Sequence, residues 1–243
     1  RKNHPNTMLN TTDVRLLKDQ DIPSCDGIIG GPPCQAWSEG GKQLGFEDPR
    51  GQLFLEYIRI VNLKKPKFFV IENVQGILED KHKQSLTFII ESLRSIGYSI
   101  SYQLLNAGDF RIPQDRLRAF FVGIRNDLQN TFDFPNSMPG KKVTLREAIG
   151  DIIEKPRFFN EEMVMSEHPT RKNHDVYTGS YDAKYMARNR VRTWNEQSFT
   201  IQAQARNEPQ HPQAPKMTYV SPNVRIFAKG YEADTINEWG SDH

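Results

Sequence analysis

The 243-residue chain has only two cysteines, Cys25 and Cys34, and no apolar run near the roughly 20 residues that a membrane-spanning helix needs. Two cysteines are too few for a disulfide framework, so the sequence predicts a reducing, cytoplasmic setting. The six histidines and two cysteines do not have the spacing of a zinc site, and we expect no metal. The net charge is only +2, which by itself neither indicates nor excludes a nucleic-acid partner. Clustering of the basic residues would indicate one.

The most distinctive segment is the loop Gly30-Gly31-Pro32-Pro33-Cys34-Gln35, which follows the apolar pair Ile28-Ile29. Two consecutive prolines fix the backbone and remove two N–H donors, so the loop cannot continue a strand or a helix. The pattern predicts a rigid loop at the end of a strand, with Cys34 at its tip. This setting favours a reactive thiol over a buried structural cysteine.

Apolar strands alternate with amphipathic helices up to Arg125. The patterns predict strands at 27–29, 68–71, 98–105 and 119–124, and helices at 53–61 and 88–96. This alternation predicts a mostly parallel, doubly wound α/β sheet. After about residue 130 the alternation ends, and only one short helix, at 145–153, is predicted. We therefore predict a first domain at 1–134 and a smaller, irregular second domain at 135–243.

Two groups of polar residues lie at predicted strand ends. Glu72 follows the apolar run 68–71, where a carboxyl group suits proton transfer, although a helix cap explains it equally well. Gln114, Arg116 and Arg118 are spaced by two, so on one strand their side chains share a face. Arginines placed together in this way require an anion, a carbonyl group or a carboxylate; an exposed edge strand is the alternative.

Three further segments each allow two interpretations. Asp13, in a predicted loop, can bind an adenine amino group or a ribose, or it can cap a turn. The glycine-rich segment 34–51 is either a mobile lid or an ordinary surface loop. A basic segment in the second domain can contact guanine edges or phosphates, or it is a solvated strand. Its arginines are Arg188, Arg190 and Arg192, followed by Arg206 among several amide side chains.

Taken together, these motifs resemble those of the DNA cytosine-5 methyltransferases. Gly31–Gln35 resembles the nucleophile loop of that family, Glu72–Val74 its Glu-Asn-Val motif, and Gln114–Arg118 its Gln-x-Arg-x-Arg motif, in the family's order. The resemblance is closer to the bacterial HaeIII-type modification methylases, which are specific for GGCC, at Gly27–Glu39 and Asn189–Arg192. The family's first glycine-rich loop and its last Gly-Asn-x-Val motif are not found, and residues 233–243 match nothing in it. We therefore expect either a fragment of a longer protein or a truncated chain whose missing parts partner pieces supply.

The resemblance implies a Rossmann-like, S-adenosylmethionine-dependent methyltransferase sheet, here without its first strand and closing part, and a smaller target-recognition domain. It implies methyl transfer from S-adenosylmethionine to C5 of a flipped-out cytosine in double-stranded DNA, in a restriction-modification system. The implied catalytic residues are Cys34, Glu72, Arg116 and Arg118. The implied cofactor contacts are Asp13, Val14, Pro33 and Leu53. The implied DNA contacts are Ser38, Arg50, Arg188, Arg190, Arg192 and Arg206. A monomer is expected; the alternative function is an inactive DNA-binding remnant.

Overall fold

The computed structural model describes residues 7–33, 52–150 and 191–201, and the backbone of four short strands between 157 and 227. The chain divides into two compact units. The first comprises residues 1–105 and 117–136, and the second comprises 106–116 and 137–243. The junction at 136/137 lies close to the predicted boundary at 134/135, and the segment 106–116 groups with the second unit. The assignment of catalytic and target-recognition roles to two domains stays a prediction.

The first unit contains a four-stranded sheet with the strand order β1-β2-β5-β3. Its strands are β1 (Gly27–Gly30), β2 (Phe68–Val74), β3 (Tyr98–Asn106) and β5 (Leu117–Arg125), and its helices are α1 (Gln52–Lys64) and α2 (Lys83–Ser95). All six elements confirm the sequence prediction, with ends that differ by a few residues. β1 and β2 are parallel, but β2 and β5 are antiparallel, so the prediction of a mostly parallel sheet is wrong at this strand.

One face of this sheet packs against both helices to form the core. β2 contributes Phe69 and Ile71, which alternate along the strand because successive side chains point to opposite faces. The other buried members of this cluster are Phe54 and Val61 of α1, Ile89 and Leu93 of α2, and Ile77, Tyr98, Ala119 and Phe121. Burial of this apolar surface is the main stabilising contribution to the sheet and fixes its register.

The turn between α1 and β2 brings β2 beside β1. Lys65 has a φ of 48°, the left-handed conformation that often follows a helix, and the buried Pro66 prevents the helix from continuing. The N–H of Lys67 then donates to the Asp26 carbonyl oxygen at 2.8 Å, just before β1 begins. This sharp connection sets the carboxyl ends of β1 and β2 at the same edge of the sheet.

In the part of the second unit that the structure describes, all helices and strands are short. β4 (Gln114–Asp115) pairs in parallel with β8 (Ser198–Phe199), and α3 (Leu145–Ile149) begins at a capping box formed by Thr144 and Glu147. β6 (Arg157–Phe158) pairs in parallel with β7 (Asp175–Val176), and β9 (Met217–Ser221) pairs antiparallel with β10 (Val224–Phe227).

The prediction that Gln114, Arg116 and Arg118 share one strand face is wrong. Gln114 lies in β4 and Arg118 in β5, and Arg116 falls between the two strands. The strand is interrupted because the backbone N–H of Arg116 donates to the Asn106 side chain, at 3.2 Å, instead of joining a strand ladder. β4 and β5 then pair with different partners, β8 and β2.

Among the described residues, none of the helices combines the length and the apolar character needed to cross a bilayer. The same part of the chain contains no group of three His, Cys, Asp or Glu side chains placed to hold a metal ion.

Candidate active site

Glu72 and Arg118 form an ion pair across the antiparallel strands β2 and β5. The register sets Val74 opposite Arg118 and Glu72 opposite Phe120. Glu72 and Arg118 are therefore diagonal neighbours on one face, a separation that two long side chains can bridge. The Nε of Arg118 lies 2.9 Å from Oε1 of Glu72, in a charge-assisted contact. The sheet register thus brings together two of the predicted catalytic residues.

The pair is accessible from one side. The Arg118 side chain is 19% exposed and that of Glu72 is 39% exposed. Nη1 of Arg118 also donates to the Leu117 carbonyl oxygen at 2.7 Å, which restricts the orientation of the guanidinium plane. A fixed guanidinium beside an accessible carboxylate offers donors and an acceptor to a planar polar ligand.

The loop that follows β1 is held against the end of β2. Nδ2 of the buried Asn73 donates to the Pro32 carbonyl oxygen at 3.2 Å. A Cβ atom at Gly31 would lie 3.6 Å from Oε2 of Glu72, so the loop backbone passes within van der Waals distance of the carboxylate. Glu72 and Asn73 lie on opposite faces of β2, so one strand both carries the carboxylate and anchors the loop.

Tyr57 of α1 fixes the strand from which this loop leaves. Its hydroxyl group lies 3.1 Å from the Val70 carbonyl oxygen and 3.3 Å from that of Ile28, on neighbouring strands. Burial raises the pKa of this phenol, which therefore stays a neutral donor. A Cβ atom at position 30 would lie 2.6 Å from the Tyr57 ring, so Gly30 is required for this close approach. The rigid loop predicted from the prolines thus also depends on α1.

Several predicted site residues lie outside the described residues. These are Cys34, Ser38, Arg50, Arg188, Arg190 and Arg206. The structure describes the loop up to Pro33, which is half-buried, and their predicted roles stay predictions.

The predicted cofactor residues Asp13 and Val14 lie at a short 3-10 turn, Val14–Leu16, which Asp13 caps by accepting from the Arg15 N–H. Arg15 also bonds to the carboxylate with its guanidinium, and these hydrogen bonds lower the pKa of Asp13 to about 2. Arg59 of α1 lies 3.5 Å from the Val14 carbonyl oxygen and pairs with Asp19 at 2.7 Å. α1, which carries the half-buried Leu53, thus holds the segment that contains Asp13.

In the second unit, the Arg192 side chain contacts other residues of the same chain. Its guanidinium pairs with Asp115 at 3.3 Å and with Glu196 at 3.1 Å, and it lies 4.0 Å from the centroid of the Phe199 ring. Its predicted contact with guanine stays a prediction. The sequence pattern did not reveal Asp115, Asn73 or Tyr57 as functional candidates, because each acts through a neighbour that only the fold brings close.

The sequence pattern of the family described as C-5 cytosine-specific DNA methylase matches residues 1–239. The chain belongs to this family. It is therefore a member of an enzyme family, the DNA cytosine methyltransferases. Glu72, Arg118 and the loop beside them lie in the three motifs that carried the resemblance.

Type II methyltransferases of this kind from two organisms are similar over nearly the whole chain. M.MthTI of Methanothermobacter thermautotrophicus is 46% identical over 226 residues, which cover 93% of this chain and 68% of the relative. M.NgoPII of Neisseria gonorrhoeae is 41% identical over 241 residues, which cover 95% of this chain and 68% of the relative. The chain thus spans about two thirds of the length of these two relatives.

A solved structure supports the fold. Spodoptera frugiperda DNMT2, crystallised as a mutant, superposes with a TM-score of 0.52 and 22% identity, covering 82% of this chain and 57% of that one. The sheet of this chain is therefore a mixed, Rossmann-like α/β sheet. The comparison bears on the fold alone.

Proposed function

We propose that this protein transfers a methyl group from S-adenosylmethionine to C5 of a cytosine flipped out of double-stranded DNA. The observation that supports this most directly is the Glu72–Arg118 pair, 2.9 Å apart, beside the loop that leads to Cys34. The carboxylate and the guanidinium match the polar edge of cytosine, and Cys34, which follows the loop in the sequence, is the nucleophile that we propose for C6. None of these groups can reach a base inside a stacked duplex, so the base must be extruded.

Covalent addition solves the chemical problem that C5 of cytosine is a poor nucleophile. The Cys34 thiolate adds to C6, and the electron pair displaced from the C5–C6 bond moves into the ring. Glu72 carries the proton that N3 takes up, so negative charge does not accumulate on the base. After C5 has taken up the methyl group, loss of the C5 proton and of the Cys34 sulfur restores the aromatic ring, and N3 returns its proton to Glu72.

Arg118 binds the O2 atom of the cytosine while it holds Glu72. A guanidinium carries five N–H donors in a fixed plane, and in this structure Nε and Nη1 are directed to Glu72 and Leu117. We propose that the Nη2 donors of Arg118 bind the O2 acceptor. In this proposal the positive charge of Arg118 also favours the ionised form of the Cys34 thiol, since a cysteine thiol ordinarily titrates at about 8.5.

The residues near the first 3-10 turn fit the adenosine part of S-adenosylmethionine. The Asp13 carboxylate is ionised, 38% exposed and next to the half-buried Val14, so an acceptor and an apolar contact lie together. Although Arg15 already donates to it, a carboxylate has about four acceptor positions. Pro33 and Leu53 are the further apolar contacts that we propose. When bound, S-adenosylmethionine supplies the methyl group that C5 accepts.

We further propose that the recognition site is GGCC, that the protein serves a restriction-modification system, and that it acts as a cytoplasmic monomer. The type II names of the relatives support the second point. The HaeIII-type motifs support GGCC as the recognition site. We propose that Ser38 and Arg50 contact phosphates and that the bases of the site are contacted by Arg188, Arg190, Arg192 and Arg206.

The test uses duplexes that contain GGCC with 5-fluorocytosine at one cytosine at a time, incubated with the chain and S-adenosylmethionine. Fluorine at C5 cannot leave as a proton does, so the bond between Cys34 and C6 persists and the complex survives denaturing electrophoresis. We expect an adduct with the unaltered chain and none with Cys34→Ser. DNA binding without an adduct supports the inactive remnant, and an equal adduct on a scrambled site contradicts GGCC.

A further inference from the structure

Asp115 lies at the centre of a side-chain network in the second unit. Oδ1 of Asp115 accepts from Nδ2 of Asn106 at 2.8 Å, and Oδ2 accepts from Nη2 of Arg192 at 3.3 Å. The Asp115 carbonyl oxygen accepts from the Thr200 hydroxyl group at 3.1 Å. One residue thereby joins the segment 106–116 to the segment 191–201, which is distant in sequence.

The same network holds the backbone of Arg116. The Arg116 N–H donates to Oδ1 of Asn106 at 3.2 Å, and the Arg116 carbonyl oxygen accepts from the Ala107 N–H at 3.0 Å. Because Asn106 bonds to Asp115 through its amide nitrogen and to Arg116 through its amide oxygen, the orientation of its side chain is fixed. Arg116 lies outside β4 and β5, so these bonds replace the strand ladder that would otherwise hold it.

Arg192 in turn holds the carboxylate of Asp115. Its guanidinium also pairs with Glu196 at 3.1 Å and stacks against Phe199 at 4.0 Å, and the side chain is only 28% exposed. A guanidinium with an aromatic ring on one face and two carboxylates at its edge has little rotational freedom. Its direction is therefore a consequence of where β8 lies.

We propose that Asp115 and Arg192 are positioning residues that hold the backbone at Arg116, and through it the arginine side chain, in the geometry that the reaction needs. The inference rests on the proposed function, in which Arg116 belongs to the catalytic motif. Asp115 touches no substrate in this proposal. Its carboxylate acts only by directing Asn106 and Arg192.

The test is the rate of adduct formation on 5-fluorocytosine DNA, at saturating S-adenosylmethionine and well below the melting temperature. Asp115→Asn keeps the size of the side chain, but it cannot accept from both Asn106 and Arg192. We expect the rate to fall about tenfold, as expected for one charge-assisted hydrogen bond. The matched control is Asp109→Asn, which breaks the exposed pair with Lys142 (2.8 Å) in the same unit and should leave the rate unchanged.

Combining Asp115→Asn with Arg116→Ala distinguishes a positioning role of Asp115 from a merely structural one. If Asp115 acts through Arg116, Asp115→Asn should cost less than twofold in that background; a repeated tenfold loss overturns the proposal. Hydrogen exchange gives a second measurement: Asp115→Asn should accelerate exchange of the Arg116 amide, and unchanged exchange overturns the proposal even where Arg116→Ala forms no adduct. If the unaltered chain forms no adduct, the proposed function fails as well. If the unaltered chain forms the adduct and the Asp115→Asn variant forms it at the same rate, only this inference fails.

Discussion

Two of the arginine–carboxylate pairs in the described residues, Glu72 with Arg118 and Asp115 with Arg192, are built in different ways. Glu72 and Arg118 lie on neighbouring strands of one sheet, and the strand register alone makes them diagonal neighbours. Asp115 and Arg192 are 77 positions apart and meet because an irregular segment returns beside a two-residue strand. A regular sheet thus brings the predicted catalytic pair together directly, whereas irregular backbone needs extra side chains to hold its geometry. The first pair is predicted to act on the base and the second to hold another residue.

The largest expected effect comes from removing the charge of the sheet pair. Glu72→Gln keeps the shape of the side chain but cannot supply the proton to N3, and we expect the rate of adduct formation to fall by about 10²- to 10⁴-fold. DNA binding and the melting temperature should change little. Glu79→Gln is a suitable control, since Glu79 is also ion-paired, with Lys81 at 2.7 Å, in the same unit. A Glu72 variant as active as this control would remove Glu72 from the chemistry.

A smaller effect is expected on the opposite face of the same strand. Asn73→Ala removes the hydrogen bond to the Pro32 carbonyl oxygen and the one that the Asn73 side chain accepts from the Val74 N–H. Because Asn73 is buried, we expect a loss of about 1–3 kcal/mol in the free energy of unfolding, measured with urea. Asn126→Ala, at an exposed asparagine that accepts from the Ser99 hydroxyl group, should cost about 0.5 kcal/mol or less. Equal losses would mean that the loop is not held by Asn73.

The contrast between the two pairs also explains how much of the structure can be predicted from the sequence. Apolar runs at period two and 3.6 are sufficient to find the strands and helices of the first unit, and Glu72 is recognisable because it follows a buried apolar run, 68–71; the structure places it inside β2. The direction of β5 was not recoverable, because the period of a strand is the same in parallel and antiparallel sheets. The interruption at Arg116 was missed because its cause is a side chain ten positions away, Asn106.

The smallest effect concerns Asp13, where the interaction is local and exposed. Hydrogen bonds from Arg15 lower the pKa of Asp13 to about 2 from the ordinary 3.8. Because the pKa is lower in the folded state, the stabilisation is present above pH 3.8 and is lost as the pH falls towards 2. Carboxyl NMR titration should give a midpoint of about 2 in the unaltered chain, and a midpoint nearer 3.8 in Arg15→Gln.

The internal control for that titration is Asp26, whose pKa is lowered by the hydrogen bond and charge of Lys67. Its midpoint should not move in Arg15→Gln. At neutral pH both forms of the chain keep Asp13 ionised, so S-adenosylmethionine should bind to them with similar affinity if Asp13 serves as an acceptor. Strongly weakened binding in Arg15→Gln would instead mean that Arg15 orients the carboxylate. Asp13 would then resemble Asp115, a carboxylate whose function depends on the arginine that holds it.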